Sequence, residues 1–107
     1  MSIKIYVLED DKYRIDYFKQ FFVGFDIHFT DIASQAIVDL KNQRYDFIFL
    51  DHDLGTEIEN NNGEFVCRNI IHSVNKSTQI IIHSMNPVGA QNMFNTMKSD
   101  MCVIAPF

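Results

Sequence analysis

Phe47-Ile48-Phe49-Leu50-Asp51-His52-Asp53 is a run of four apolar residues leading directly into three ionisable ones. An apolar run of that length reads as a strand buried on both faces, the habit of a parallel sheet covered by helices. A charged tripeptide at such a strand's carboxyl end has no packing role. Open parallel α/β sheets bind their ligands in that place, in the crevice beyond the strand ends. Glu9-Asp10-Asp11 ends the first apolar run in the same way, and His83-Ser84 ends a third.

The rest of the chain fits around these three strand tips. Ile3 to Leu8 reads as the first strand and Lys12 to Phe22 as a helix, with Gly24 closing it. Phe25 to Phe29 alternates as a short second strand. Asp31 is placed to cap a helix running to Asn42, whose residues Ile32, Ala33, Ala36, Ile37 and Leu40 follow the helical repeat. Phe47 to Leu50 is the third strand, and Gly55 to Gly63 a polar loop. Glu64 to Val74 forms a third helix, Gln79 to His83 a fourth strand, Val88 to Lys98 a fourth helix and Met101 to Ile104 a fifth strand. Strand and helix alternate throughout, so the expectation is one α/β domain with a parallel sheet.

The 107 residues suffice to bury a core without disulfides, and nearly half are apolar, which excludes a disordered chain. A net charge of −5 argues against a duplex nucleic-acid partner, which needs a basic footprint. Cys67 and Cys102 lack metal-type spacing and read as buried free thiols. No apolar stretch is long enough for a bilayer and no leader opens the chain, so a cytoplasmic location and no membrane partner are expected.

Glu9, Asp10, Asp51 and Asp53 are hard oxygen donors suited to Mg²⁺ or Mn²⁺. The alternative for the first cluster is a solvated helix start, where acids favour the helix dipole. For the histidines, placing Asp51 and Ser84 on one rung turns His52 and His83 to the other side together. They would then stand about 7 Å apart along the strands and could straddle a phosphate as base and acid. The alternative is a buried, hydrogen-bonded His83 and a loop-capping His52. His28 and His72, the latter expected within the third helix, read as structural or solvent-facing. Asn86-Pro87-Val88-Gly89-Ala90 opens the fourth helix with small residues whose N–H groups could meet an anion.

VLEDD at 7–11, FIFLD ending at Asp51, Ser84 after IIIH and the closing Pro106-Phe107 resemble the receiver domain of two-component response regulators. The resemblance implies a flavodoxin-like sheet in the order 2-1-3-4-5. It also implies that Glu9 and Asp10 are a metal-binding pair, Asp51 a phospho-acceptor, Asp53 a donor of its backbone carbonyl to the metal, and Ser84 a switch hydroxyl. Three features depart from receivers. Ala105 stands where they carry a phosphate-binding Lys, Cys102 where many carry an aromatic, and the final helix is expected to be missing. An apolar sheet surface left open in that way would suit a homodimer.

The paired stretches DHDLG at 51–55 and HSMNPVGA at 83–90 are similar to the cyclic-phosphate processing receiver family. That resemblance implies a metal-dependent phosphoesterase acting on a small phosphorylated ligand such as a cyclic nucleotide or an RNA end. Asp51, His52, His83 and Ser84 would be its catalytic residues, and Ser84, Asn86 and Gly89 would bind phosphate. A divergent receiver phosphorylated on Asp51, or a module that binds a phosphorylated ligand or protein without turnover, are the alternatives.

Overall fold

A computed structural model describes residues 2–55 and 59–105. Its elements alternate as expected: β1 (Lys4–Leu8), α1 (Lys12–Phe21), β2 (Asp26–Thr30), α2 (Ala33–Asn42), β3 (Phe47–Leu50), α3 (Gly63–Ile70), β4 (Gln79–Ile82), α4 (Pro87–Met97) and β5 (Cys102–Ile104). The strands form one parallel sheet in the order β2-β1-β3-β4-β5. This is the flavodoxin-like architecture with four helices. Pro106 and Phe107, and part of the loop from Thr56 to Asn62, lie outside the described residues.

Strand alternation divides the core. Tyr6, Leu8, Ile48, Leu50, Ile80 and Ile82 point to one face, where Ala36 and Leu40 of α2, Val66 and Ile70 of α3, and Met93 and Met97 of α4 cover them. Ile5, Val7 and Phe49 point to the other, against Phe18 of α1. Three helices thus pack one face and α1 the other, and at the sheet edge Val103 and Ile104 of β5 are exposed. Buried Asn75 ties the turns beneath the sheet. It accepts from the Tyr45 N–H and donates to the carbonyls of Leu40 and Gln43.

Several boundaries differ from expectation. The α2 N-cap is Ile32, not Asp31, and it makes no side-chain cap bond. The Ala33 N–H instead donates to Asn61 Oδ1 at 2.6 Å, so a residue of the distant β3–α3 loop does the capping. Helix α3 starts earlier and ends earlier, with Asn62 as its N-cap and Ile70 as its last residue. His72 therefore lies in the following turn, not in the helix. Gly24 takes φ +91° in the turn from α1 to β2. Cys67 and Cys102 are buried and unbridged. Among the described residues, no helix is long and apolar enough to cross a membrane.

Candidate functional site

The register of the sheet determines which side chains meet. Leu8, Leu50 and Ile82 lie level across β1, β3 and β4. The next residue of each strand, Glu9, Asp51 and His83, therefore forms a row on the α1 face. Glu9 and His83 are fully buried and Asp51 nearly so. Glu9 Oε2 accepts the N–H groups of Asp10 and Asp11 at 3.0 and 3.2 Å. Its Oε1 lies 3.4 Å from both Arg14 Nη1 and His83 Nδ1.

This row overturns the expected placing of the histidines. Asp51 is level with His83, not with Ser84, so His83 and His52 turn to opposite faces. A one-residue difference in register exchanges the faces of every side chain beyond it. His83 packs edge-on against Phe18 and Phe49 with ring centres 5.3 and 6.2 Å away. Burial, with Arg14 nearby, drives its imidazole down to about 4, so it is neutral at physiological pH. The two rings do not straddle a common space.

His52 lies against α4. A Cβ on Gly89 would meet its ring atoms at 2.5–2.8 Å, so only glycine lets the helix approach this closely. Its Nδ1 is 2.6 Å from Asp53 Oδ1. That bond, chiefly, holds the Asp53 carboxyl below its ordinary value. Asn86 Nδ2 donates to the same oxygen at 3.3 Å. As the α4 N-cap, Asn86 accepts the Gly89 N–H on its Oδ1 at 3.0 Å. The Gly89 amide is therefore already engaged, and its place in the site is to seat His52 rather than to present a donor to phosphate.

Glu9, Asp10 and Asp51 bring one carboxylate oxygen each to within 4.8 Å of one another, an arrangement that could hold a metal ion. Asp53, the fourth predicted carboxylate, is directed to His52 instead. Burial pushes Glu9 up to about 7, with the neighbouring Asp51 carboxylate adding to the rise, and burial raises Asp51 as well. Buried like charges side by side are costly, and a divalent cation would relieve them. Asp10 is exposed but its carboxylate abuts the adjoining loop: a Cβ on Gly55, at φ +60°, would fall 2.4 Å from Asp10 Oδ2. Ser84, beside Asp51 at the cleft, works against that rise, and its Oγ accepts the Asn86 N–H at 3.1 Å.

Above the carboxylates opens a cleft of about 200 Å³ lined by Asp11, Arg14, Asp51, Asp53, Ser84 and Met85. Arg14 is its single cationic lining residue among those described. Sequence reasoning did not single it out, because α1 reads as an aromatic helix and a lone Arg carries no motif. The signal was its position, one helical turn after the acidic strand tip.

Fold and strand-end carboxylates together define a receiver-type domain. The full length of this chain overlays a response-regulator receiver domain from Methanospirillum hungatei with a TM-score of 0.73, at 14% identity and covering 84% of that chain. It likewise overlays the receiver domain of a Pseudomonas aeruginosa sensor histidine kinase, with magnesium in its active-site cleft, at 0.73, 22% and 88%. A Burkholderia pseudomallei response regulator bearing a phosphorylated aspartate matches at 0.74 and 14%, over 99% of this chain and 61% of that one. The sequence profile of the cyclic-phosphate processing receiver domain matches residues 5–99, and the chain belongs to that family. No curated protein matches it.

Proposed function

We propose that this domain is a metal-dependent phosphoesterase that opens a cyclic phosphate with water. The observation that carries the reading is the convergence of Glu9, Asp10 and Asp51 under a cleft lined, among the described residues, by one cation, Arg14. Glu9, Asp10 and Asp51 would hold Mg²⁺ or Mn²⁺, which supplies charge neutralisation and a polarised phosphoryl oxygen. Arg14 meets the negative oxygens from α1, a task that in receivers falls to the Lys replaced here by Ala105. His52 Nδ1, 2.6 Å from Asp53 Oδ1, orients the Asp53 carboxylate at the cleft wall. Asp53, a carboxylate of the cleft lining outside the metal cluster, takes the proton of the attacking water and returns it to the leaving oxygen. A water oxygen bonds to phosphorus, one ring P–O bond breaks, and the leaving oxygen ends protonated in a monoester. Ser84 orients Asp51, and His83 is a positioning residue behind Glu9.

Incubation with 2′,3′- and 3′,5′-cyclic nucleotides and Mg²⁺ or Mn²⁺, followed by phosphorus NMR, tests this. Ring-opened monoester is expected with the native protein and not with Asp51→Asn. Absence of product from every cyclic phosphate, or undiminished turnover by Asp51→Asn, overturns it. A second reading is favoured by the contact of Ser84 with Asp51: a receiver phosphorylated on Asp51. Beryllofluoride with Mg²⁺ would then bind and shift the amide resonances of residues 51 and 84, with no cyclic phosphate opened.

A further inference from the structure

The phosphate cleft has a neighbour. An apolar groove of about 460 Å³ runs along α1 between Tyr13, Arg14, Tyr17 and Phe18. Arg14 lines both spaces, so the groove continues from the cleft's wall. Tyr13 and Tyr17 are one helical turn apart and strongly exposed, at 85% and 59%. Phe18 closes the floor from the core side, where it packs on Phe49 and His83. Tyr13 buries little area and contributes little to stability, while Tyr17 is braced by stacking on Phe21 at 5.8 Å between ring centres. The volume suits a small planar ligand. Exposed tyrosine rings next to a cation and a metal-type carboxylate cluster fit the two halves of a nucleotide.

We infer that the ligand is a nucleotide, its phosphate in the carboxylate cleft against Arg14 and its base stacked in the α1 groove on Tyr13 and Tyr17. The inference rests on the phosphate reading of the cleft and adds the substrate class. Arg14 is the pivot: its guanidinium reaches the phosphate from the wall that the tyrosines share. A phosphate ester without a base would use the cleft alone.

AMP and ribose 5-phosphate differ only by the base, and their binding can be compared by calorimetry in Mg²⁺. AMP is expected to bind roughly tenfold more tightly, the worth of one stacked base. Tyr13→Ala/Tyr17→Ala should erase the preference and leave ribose 5-phosphate affinity unchanged, while Tyr13→Phe/Tyr17→Phe, which keeps both rings, should retain it. Equal affinities in the native protein, or a preference that survives the alanine pair, overturns the inference while leaving the phosphate reading standing. If neither compound binds the folded protein, the phosphate reading itself falls. A dimer in sedimentation that the alanine pair dissociates would assign the groove to a second copy and overturn the nucleotide.

Discussion

Gly63 is the tightest point between the helical layer and the site, and Gly63→Ala tests whether that contact sets the position of Asp51. A Cβ at this position would lie 2.1 Å from the Asp51 carbonyl oxygen and 2.5 Å from Met93 Cε. The carbonyl is backbone at the end of a central strand and cannot swing aside. The start of α3 must therefore withdraw by more than an ångström to reach ordinary contact. Withdrawal breaks the Gly63 N–H bond to the His52 carbonyl, now 3.0 Å, and strains the Asn62 cap on the Phe65 N–H. Overpacking costs about 1–3 kcal/mol, and a stranded buried donor about 1–3 kcal/mol more. The total, about 2–6 kcal/mol, is a large part of the stability of a small domain. With a urea slope of about 2 kcal/mol per molar, the denaturation midpoint should fall by roughly 1–3 M. Gly24→Ala is the control, because nothing lies within 4 Å of the added carbon and only the φ of +91° is strained. It should cost about 1 kcal/mol. A Gly63→Ala midpoint within about 0.3 M of native, or a larger loss from Gly24→Ala, would refute the reasoning.

Three further outcomes are expected. First, Glu9 is held at about 7 and His83 at about 4, against ordinary values of 4.5 and 6.5. Between pH 4.5 and 6.5 the folded and unfolded chains each carry one proton on this pair, so its contribution to stability is flat. It is lost as pH rises through 7, because the raised Glu9 must ionise, and as pH falls through 4, because the depressed His83 must charge. His83→Leu isolates the histidine, so the native protein's urea midpoint should fall steadily relative to that variant as pH drops from 6.5 to 4, and the difference should stay level above 6.5. Second, Asp51→Asn should raise the melting temperature without metal at pH 8 by removing one of two buried like charges. Millimolar Mg²⁺ should stabilise the native protein and not this variant. Third, Asn61→Ala should cost about 1–2 kcal/mol by stranding the Ala33 N–H, and hydrogen exchange at that amide should accelerate.

The sheet was legible because β1, β3 and β4 are short apolar runs punctuated by helices of the right period. The acidic tips stood out for a related reason: charge immediately after a buried strand cannot be packing. What failed was register. Asp51 and Ser84 look equivalent as residues following apolar runs, but the ladder pairs Leu50 with Ile82 and makes His83 the neighbour of Asp51. Nothing local in a sequence encodes that offset between parallel strands 30 residues apart. The surroundings of Gly89 were hidden for another reason: its amide bonds the Asn86 cap and its missing side chain makes room for His52, and both facts need the third dimension. The Asn61 cap on α2 was illegible for the same reason, since Asp31 sat in the expected place and the actual acceptor came from another loop.

The two buried thiols offer a use that the site does not. Burial raises both, Cys102 to about 11 and Cys67 beyond it, so neither forms much thiolate in the folded protein at neutral pH. A colorimetric disulfide reagent will therefore react only when the structure opens, and the protein carries its own clock for opening events. The two clocks keep different time. Cys102 belongs to the edge strand β5 and is released by fraying of one strand, whereas Cys67 sits beneath α3 in the main core and is released only by disruption of the helical layer. The ratio of their labelling rates separates partial opening of the sheet edge from unfolding of the whole domain, with no introduced probe.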